Sequence, residues 1–509
     1  CTLLNMKLST LFVIFLIHAT SQEDSGSDYD VSANSSSIQL SSPEECARTC
    51  TDNEQPKNCY YTFHIEFYTT VGPACDVPSQ RKECVLADGV ERTFIPINRG
   101  LPGPKIEVCL NDRVIIDVTN AAPGLGITIH WHGIFQNGFQ YYDGVPFVTQ
   151  CPIPSGTTFR YDFVVQNSGT HFYHSHVSTH MLDGQYGPLI VKDPPSLNPH
   201  KNLYDFDEHI IFLSDWMHEL SLERYPGWFR HDIGQTAKNI LINGLGNWTD
   251  PDTKQTTNGK LTVFNVQRGK RYRIRVINSF STVCLAELSI EKHSCVVIAQ
   301  DGANVKPKRV DKIITSTGER VDFILTATQN VSSYWIKVRG LGECRDTSVQ
   351  QLAILRYQNG PALPPTPLPS YNDTTNGVEY NSLNAMDCNS KTTNNAVCVN
   401  QLESVEPDDE LLKVEPDERH VLPFWFFNYT QYGNRILFGT DVYRTFFDAN
   451  DRSQLISTFN NIAYEFSSSP LISQPIFKIN ICNRMVVTSL SLYLASCYWN
   501  GTCYSRGNR

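Results

Sequence analysis

Two pairs of histidines have the spacing to do chemistry. In the run Ile127-Thr128-Ile129-His130-Trp131-His132, successive residues of an extended strand point to opposite faces. Ile127, Ile129 and Trp131 therefore take one face, and His130 and His132 the other. The two imidazoles then stand roughly 6–7 Å apart at their Cα atoms, which suits one metal ion or two neighbouring ones. The run Gly169-Thr170-His171-Phe172-Tyr173-His174-Ser175-His176 repeats the arrangement, with His174 and His176 sharing a face. Neutral imidazole ligates both copper and zinc, and spacing alone leaves zinc open. A single His-x-His also reads as an ordinary polar strand face; two pairs, each behind alternating apolar residues, favour a metal site.

The elements that must hold these pairs read as all-β. Between Cys59 and Val191, short strands such as Val114 to Val118, Ile127 to His132 and Phe159 to Val165 are separated by Gly, Pro and Asn turns. No long helical periodicity appears there, a pattern of a β-sandwich or a Greek-key barrel. A second block of strands runs from about His209 to Tyr357 and includes Leu261 to Val266, Tyr272 to Ile277, Val296 to Ala299, Val321 to Ala327 and Tyr334 to Val338. At 509 residues the chain is too long for one core, since single cores stop growing at about 250–300 residues. The net charge of -10 and the lack of a basic stripe exclude nucleic acid as a partner.

The N-terminus points to export. Met6 and Lys7 precede a short apolar run, Leu8 to Ile17, closed by small residues from Ala19 to Ser21, as in a secretory signal peptide. The run is shorter than the about 20 residues of a membrane span, and no span is expected once it is removed. Sixteen cysteines, with sequons at Asn34, Asn247, Asn330, Asn372, Asn428 and Asn500, fit an oxidising, glycosylating compartment. The crowd of Cys46, Cys50, Cys59, Cys75, Cys84, Cys109 and Cys151 has zinc ligation as its other reading. A zinc ribbon needs two Cys-x-x-Cys pairs, which are lacking, so disulfides of unassigned pairing are favoured.

Three segments together carry a family resemblance. They are His130-Trp131-His132-Gly133, then Asp143-Gly144-Val145-Pro146 leading into Thr149-Gln150-Cys151-Pro152-Ile153, then Gly169 to His176. In order and interval they resemble the first-domain signature of laccases and related multicopper oxidases. The Cys-rich segment Cys46 to Cys84 and Ala87-Asp88-Gly89-Val90-Glu91-Arg92 resemble the arthropod laccase-like branch. The resemblance implies tandem cupredoxin-like Greek-key β-sandwich domains, two complete and a third incomplete. It makes His130 a ligand of the type-2 copper and His132, His174 and His176 ligands of the type-3 pair. Asp143 matches an acidic residue that manages protons during dioxygen reduction, although a carboxylate capping an Asp-Gly turn is an equal reading of it. His171 and His180 fall outside the ligand positions and are expected to be structural or surface residues. Tyr272 to Asn278 and Gly318-Glu319-Arg320-Val321-Asp322-Phe323 resemble the family's copper-free middle domain. There Glu287 falls where a carboxylate meets a phenolic substrate, or is simply a solvated loop residue.

The domains expected are upstream residues and signal peptide (1–21), a Ser/Asp-rich and Cys-containing arm (22–55), a first cupredoxin-like domain (56–195) and a second (205–358). A Pro-rich and acidic linker follows (359–420), in which Cys388 and Cys398 are placed to close a small loop, then a partial third domain (421–474) and a tail unlike the family (475–509). Leu422-Pro423-Phe424 and Asn460-Asn461-Ile462 to Ser473-Gln474 resemble the third domain's opening strands. The last histidine is His420, and no His-Cys-His segment follows. A type-1 copper needs a thiolate and two imidazoles, so no type-1 site is found, only half of the cluster ligands are present, and these residues alone are not expected to make a competent laccase. The function implied is a secreted copper oxidase taking electrons from phenols or diphenols and giving them to dioxygen. A ferroxidase or ascorbate-oxidase-like member is the enzymatic alternative; a non-catalytic secreted copper-binding or interaction protein is the other.

Overall fold

The structure, a computed structural model, describes residues 39–224, 236–282, 284–383 and 395–407, with short stretches between 414 and 506. The expected signal peptide, the arm up to residue 38, Cys388, His420 and Gln474 lie outside the described residues, as does most of the expected tail.

The first domain is a two-layer sandwich. Strands Asn58–Ile65, Arg113–Asn120 and Thr157–Val164 form one sheet; Ile106–Cys109, Tyr186–Lys192, Gly169–Ser175 and Ile129–His132, in that order, form the other. Alternation drives the assembly. Phe63, Val114, Ile116, Val118, Tyr161 and Phe163 of the first sheet interdigitate with Val108, Ile129, Trp131, Tyr173 and Leu189 of the second, all of them buried. Ile127 falls just outside its strand and is bridged to Ile153. The end of the arm is tied down: a four-residue helix, Pro43–Cys46, is closed by a Ser42/Glu45 capping box, and disulfides Cys46–Cys59 and Cys50–Cys109 bind it to the sandwich. With Cys75–Cys84, six of the seven crowded cysteines are paired, and Cys151 is free.

The second domain repeats the plan with larger layers. A six-stranded sheet runs Asn239–Ile242, Phe206–Trp216, Arg271–Asn278, Arg320–Thr326, Cys295–Gln300, Ala303–Val310. A seven-stranded sheet packs on it around a shared core that includes Ile274, Val276, Phe323, Ile336 and Leu355, and Cys284–Cys344 staples that sheet. Part of the expected linker belongs to this sheet. Glu379–Tyr380 and Ala396–Val397 are its last two strands, and the Lys337 ammonium draws in the carbonyls of Ser370, Tyr371 and Asp373.

Between the two domains the strand Gly169–Ser175 is covered on both sides. Tyr173 faces the first core, while Phe172, Tyr186 and Ile190 pack on Phe212 and Ile277 of the second domain. Beyond residue 420, Phe424–Asn428, Leu455–Phe459, Ile462–Tyr464 and Met485–Val487 form a four-stranded sheet, so the expected tail contributes a strand to the third block. Leu471 and Ile472 donate their N–H groups to the carbonyls of Phe147 and Val148, docking this block beside the Asp143 loop. Among the described residues no helix is long and apolar enough to cross a membrane.

Candidate metal centre

The alternation read from the sequence is realised in the strand Ile129–His132, where Ile129 and Trp131 are buried and the two histidines half-buried. Trp131 fixes the register. It packs against Tyr161 and Phe163 at 5.1 and 5.3 Å between ring centroids, so a one-residue slip would bring an imidazole into the core. His130 lies directly opposite His174 in the antiparallel ladder, and Trp131 opposite Tyr173. Two residues distant in sequence thus become cross-strand neighbours on one face.

All four predicted ligands meet there. The ring of His130 is 5.7 Å from that of His132, 5.5 Å from that of His174 and 5.4 Å from that of His176. One nitrogen from each of His130, His132 and His174 lies within 4.8 Å of the other two. His176 stands one residue past the end of its strand, held by its N–H to the Thr128 carbonyl, with its ring 6.0 Å from that of His174.

Neighbouring carbonyls decide which nitrogens face inward. His130 Nδ1 donates to the carbonyl of Asp143 at 2.7 Å, and His174 Nδ1 to that of Ser175 at 2.8 Å, leaving a lone pair on each Nε2. His174 Nε2 accepts in turn from His132 Nδ1 at 3.3 Å. A cation among them would displace that shared proton, and the nitrogens free to meet it would be Nε2 of His130, Nδ1 of His132 and Nε2 of His174. Burial, reinforced by the Arg320 guanidinium and by His174, pushes His132 down to about 2; burial and His130 push His174 down to about 3. Burial also lowers His176. Such rings stay neutral, the form that binds metal, and an all-imidazole set suits copper as well as zinc.

Asp143 holds the site in two ways. Its carbonyl orients His130, and its part-exposed carboxylate Oδ1 lies 3.4 Å from His130 Nδ1. The Asp-Gly turn is pinned by Gly144, at φ +79°, where a Cβ would come within 1.8 Å of the Ile129 carbonyl oxygen. His171 and His180 are buried, and His171 bonds the Ser168 carbonyl at 3.1 Å. Glu287 differs from the loop expectation. It is buried in the strand Cys284–Ile290, opposite Arg339, which grips both its oxygens at 2.6 and 2.9 Å. Beside His174 and His176 opens a cleft of about 520 Å³, with Ser281, Thr282 and Thr317 of the second domain among its lining residues. Sequence reasoning missed Arg320, although it lies in the segment Gly318 to Phe323 that was singled out for resemblance.

Comparison with known proteins agrees with this geometry. Two family models described as multicopper oxidase match residues 79–196 and 207–360. Laccase-2 of Trametes versicolor is 40% identical over 292 residues, covering 55% of this chain and 53% of that protein. Laccase-5 of Trametes villosa is 38% identical over 309 residues, 59% of this chain and 56% of that one. The chain thus spans little more than half the length of these relatives. Among solved structures, the laccase from Botrytis aclada is 33% identical over 61% of this chain and 55% of its own, with a TM-score of 0.52. Fet3p, a multicopper oxidase that functions in iron import, shares the fold at 22% identity and a TM-score of 0.59, over 80% of this chain and 64% of its own.

Proposed function

The chain belongs to the multicopper oxidase family, and from that premise we propose that it is the first-domain half-site and its supporting domains in a secreted, laccase-type copper oxidoreductase. Phenols or diphenols give up electrons, and dioxygen is reduced to water. The observation that carries the reading is the convergence of one ring nitrogen from each of His130, His132 and His174, with His176 beside them. In this reading His130 holds the type-2 copper, and His132, His174 and His176 hold the type-3 pair. Copper, when bound, supplies the one-electron chemistry.

The protein's own residues do the rest. The carbonyls of Asp143 and Ser175 keep the Nδ1 protons of His130 and His174 away from the site. The Asp143 carboxylate, partly in solvent, takes and releases protons at Oδ1 beside His130. Glu287 would have to release Arg339 before meeting a phenol, so the reading rests on the histidines. The disulfides support export, and Cys46 to Cys84 with Ala87 to Arg92 support the arthropod laccase-like branch.

Copper titration of the purified chain tests this. The expected result is binding that weakens by more than about tenfold in His130→Ala and in His174→Ala, since even residues that merely support ligands are worth 10–100-fold. Dioxygen uptake with a diphenol is expected once a complete third domain, supplying the remaining cluster histidines together with the type-1 thiolate and its two imidazoles, is joined to the chain. Absence of copper binding, or binding indifferent to both substitutions, overturns the reading.

A further inference from the structure

The four clustered imidazoles all come from the first domain, yet the slot that holds one of them is closed by the second. His132 stacks on Phe172, 4.5 Å between ring centroids and 25° between planes. Its edge meets Gly318 of the second domain. A Cβ on Gly318 would lie 2.8 Å from His132 Cε1 and 3.2 Å from Nε2, and the φ of +81° there already favours glycine. On the backbone side, Gly133 follows His132 directly, and a Cβ on it would fall 2.6 Å from Arg320 Nη2.

Arg320 joins these pieces. Its Nε donates to the carbonyl of Thr170, in the strand that carries His174, at 3.0 Å. Its Nη1 donates to the carbonyl of Gly318 and its Nη2 to that of Asp301, each at 2.8 Å. One planar group thus sets the distance between the histidine-bearing strand and the Gly318 turn, because the donors of a guanidinium are fixed relative to one another in a rigid fork. A half-turn of the His132 ring about χ2 would exchange Nδ1 for Cδ2 and present carbon to His174.

We propose that Arg320 and Gly318 are positioning residues for His132, through which the second domain fixes the nitrogen that His132 turns toward the cluster. The inference rests on the copper reading for its consequence, while the ring orientation is measurable without metal. Side-chain ¹⁵N NMR of the metal-free full chain is expected to show His132 as a single Nδ1–H tautomer bonded to His174. Arg320→Gln and Gly318→Ala should split or shift the His132 resonances while those of His130 stay in place. Thr170→Val is the control, because it removes the Thr170 hydroxyl's bonds to Asp322 and Arg275 at the same domain boundary without touching His132. It should leave the His132 signals unchanged. If Gly318→Ala fails to fold, Arg320→Gln decides alone.

Unchanged His132 signals in folded Arg320→Gln overturn the proposal. So does an equal disturbance in Thr170→Val, which would mean general loosening of the boundary. In a parallel copper titration, Arg320→Gln should bind about 10–100-fold more weakly than wild type and Thr170→Val like wild type. A wild-type chain that binds no copper sinks the proposed function, and the NMR comparison still decides the positioning role.

Discussion

The first two domains share a two-layer plan but differ in the polar residues they set at their common boundary. The first offers imidazole rings: His130, His132 and His174 on one sheet face. The second offers full charges on the strands Arg271–Asn278 and Arg320–Thr326. There Arg273 and Arg275 both reach Asp322, and Arg275 also grips Asp207. Thr170 of the first domain is drawn into that network by its hydroxyl. The same period-2 alternation therefore yields two surfaces. One is built of imidazoles and can receive a cation; the other compensates its charges internally and serves as a rigid base. Alternation shows that a face is polar, and residue chemistry shows what the face is for.

Acid should break this comparison most strongly. In the metal-free chain burial pushes His132 to about 2 and His171 and His174 to about 3, against an ordinary value of about 6.5. The unfolded chain then binds more protons between those values, so first-domain stability is full above about 6.5 and is lost as the pH falls below it. In the second domain burial opposes ionisation of Asp207, but Arg275 and Arg273 outweigh it and hold the carboxylate below its usual value. Its contribution is present above about 4 and is lost only as the pH falls further. Hydrogen exchange followed by peptide should show the strand Arg113–Asn120 losing protection at a higher pH than Arg271–Asn278. Simultaneous loss would remove the distinction.

Next in size is Asp322→Ala, which strands the buried Arg273 guanidinium, leaves Arg275 with Asp207 alone, and should cost about 3–5 kcal/mol in denaturant unfolding. That loss should fall on the second domain. A cost below about 1 kcal/mol, the level of an exposed pair, would show that the network does not carry its charges as a buried unit. Smaller again is Cys50→Ser, expected to lower first-domain stability by about 2–4 kcal/mol through loss of the Cys50–Cys109 tether. The second domain's own transition should stay where it is. If it moves equally, the two domains unfold as one unit and the comparison must be redrawn.

How much of this could be read in the chain follows the range of the interactions. His130 and His132 were legible because their placement depends on adjacent residues, Ile129 and Trp131, through strand geometry alone. The all-β pattern was legible for the same reason, with strand ends misjudged by a residue or two where bridges such as Ile127 to Ile153 continue the pairing irregularly. Glu287 was misread as loop because its environment is made by Arg339, a cross-strand partner 52 residues away. The two short strands between the Pro-rich and the acidic stretches were hidden by flanks that normally mark a linker, and they owe their order to the sheet edge they join. Arg320 was seen only as part of a familiar string, since its contacts with Thr170 and Gly133 exist only after two sandwiches pack together.

The hydrogen bond from Arg320 to Thr170 spans 150 residues, and that interval is also a length of time. Chains are made from the N-terminus, and domains fold as they emerge. The strand bearing His174 leaves the ribosome while the guanidinium that will seat His132 is still untranslated. Maturation therefore has an order: the imidazoles gather first, the clamp arrives with the second sandwich, and cofactor loading into a finished half-site follows translation of both.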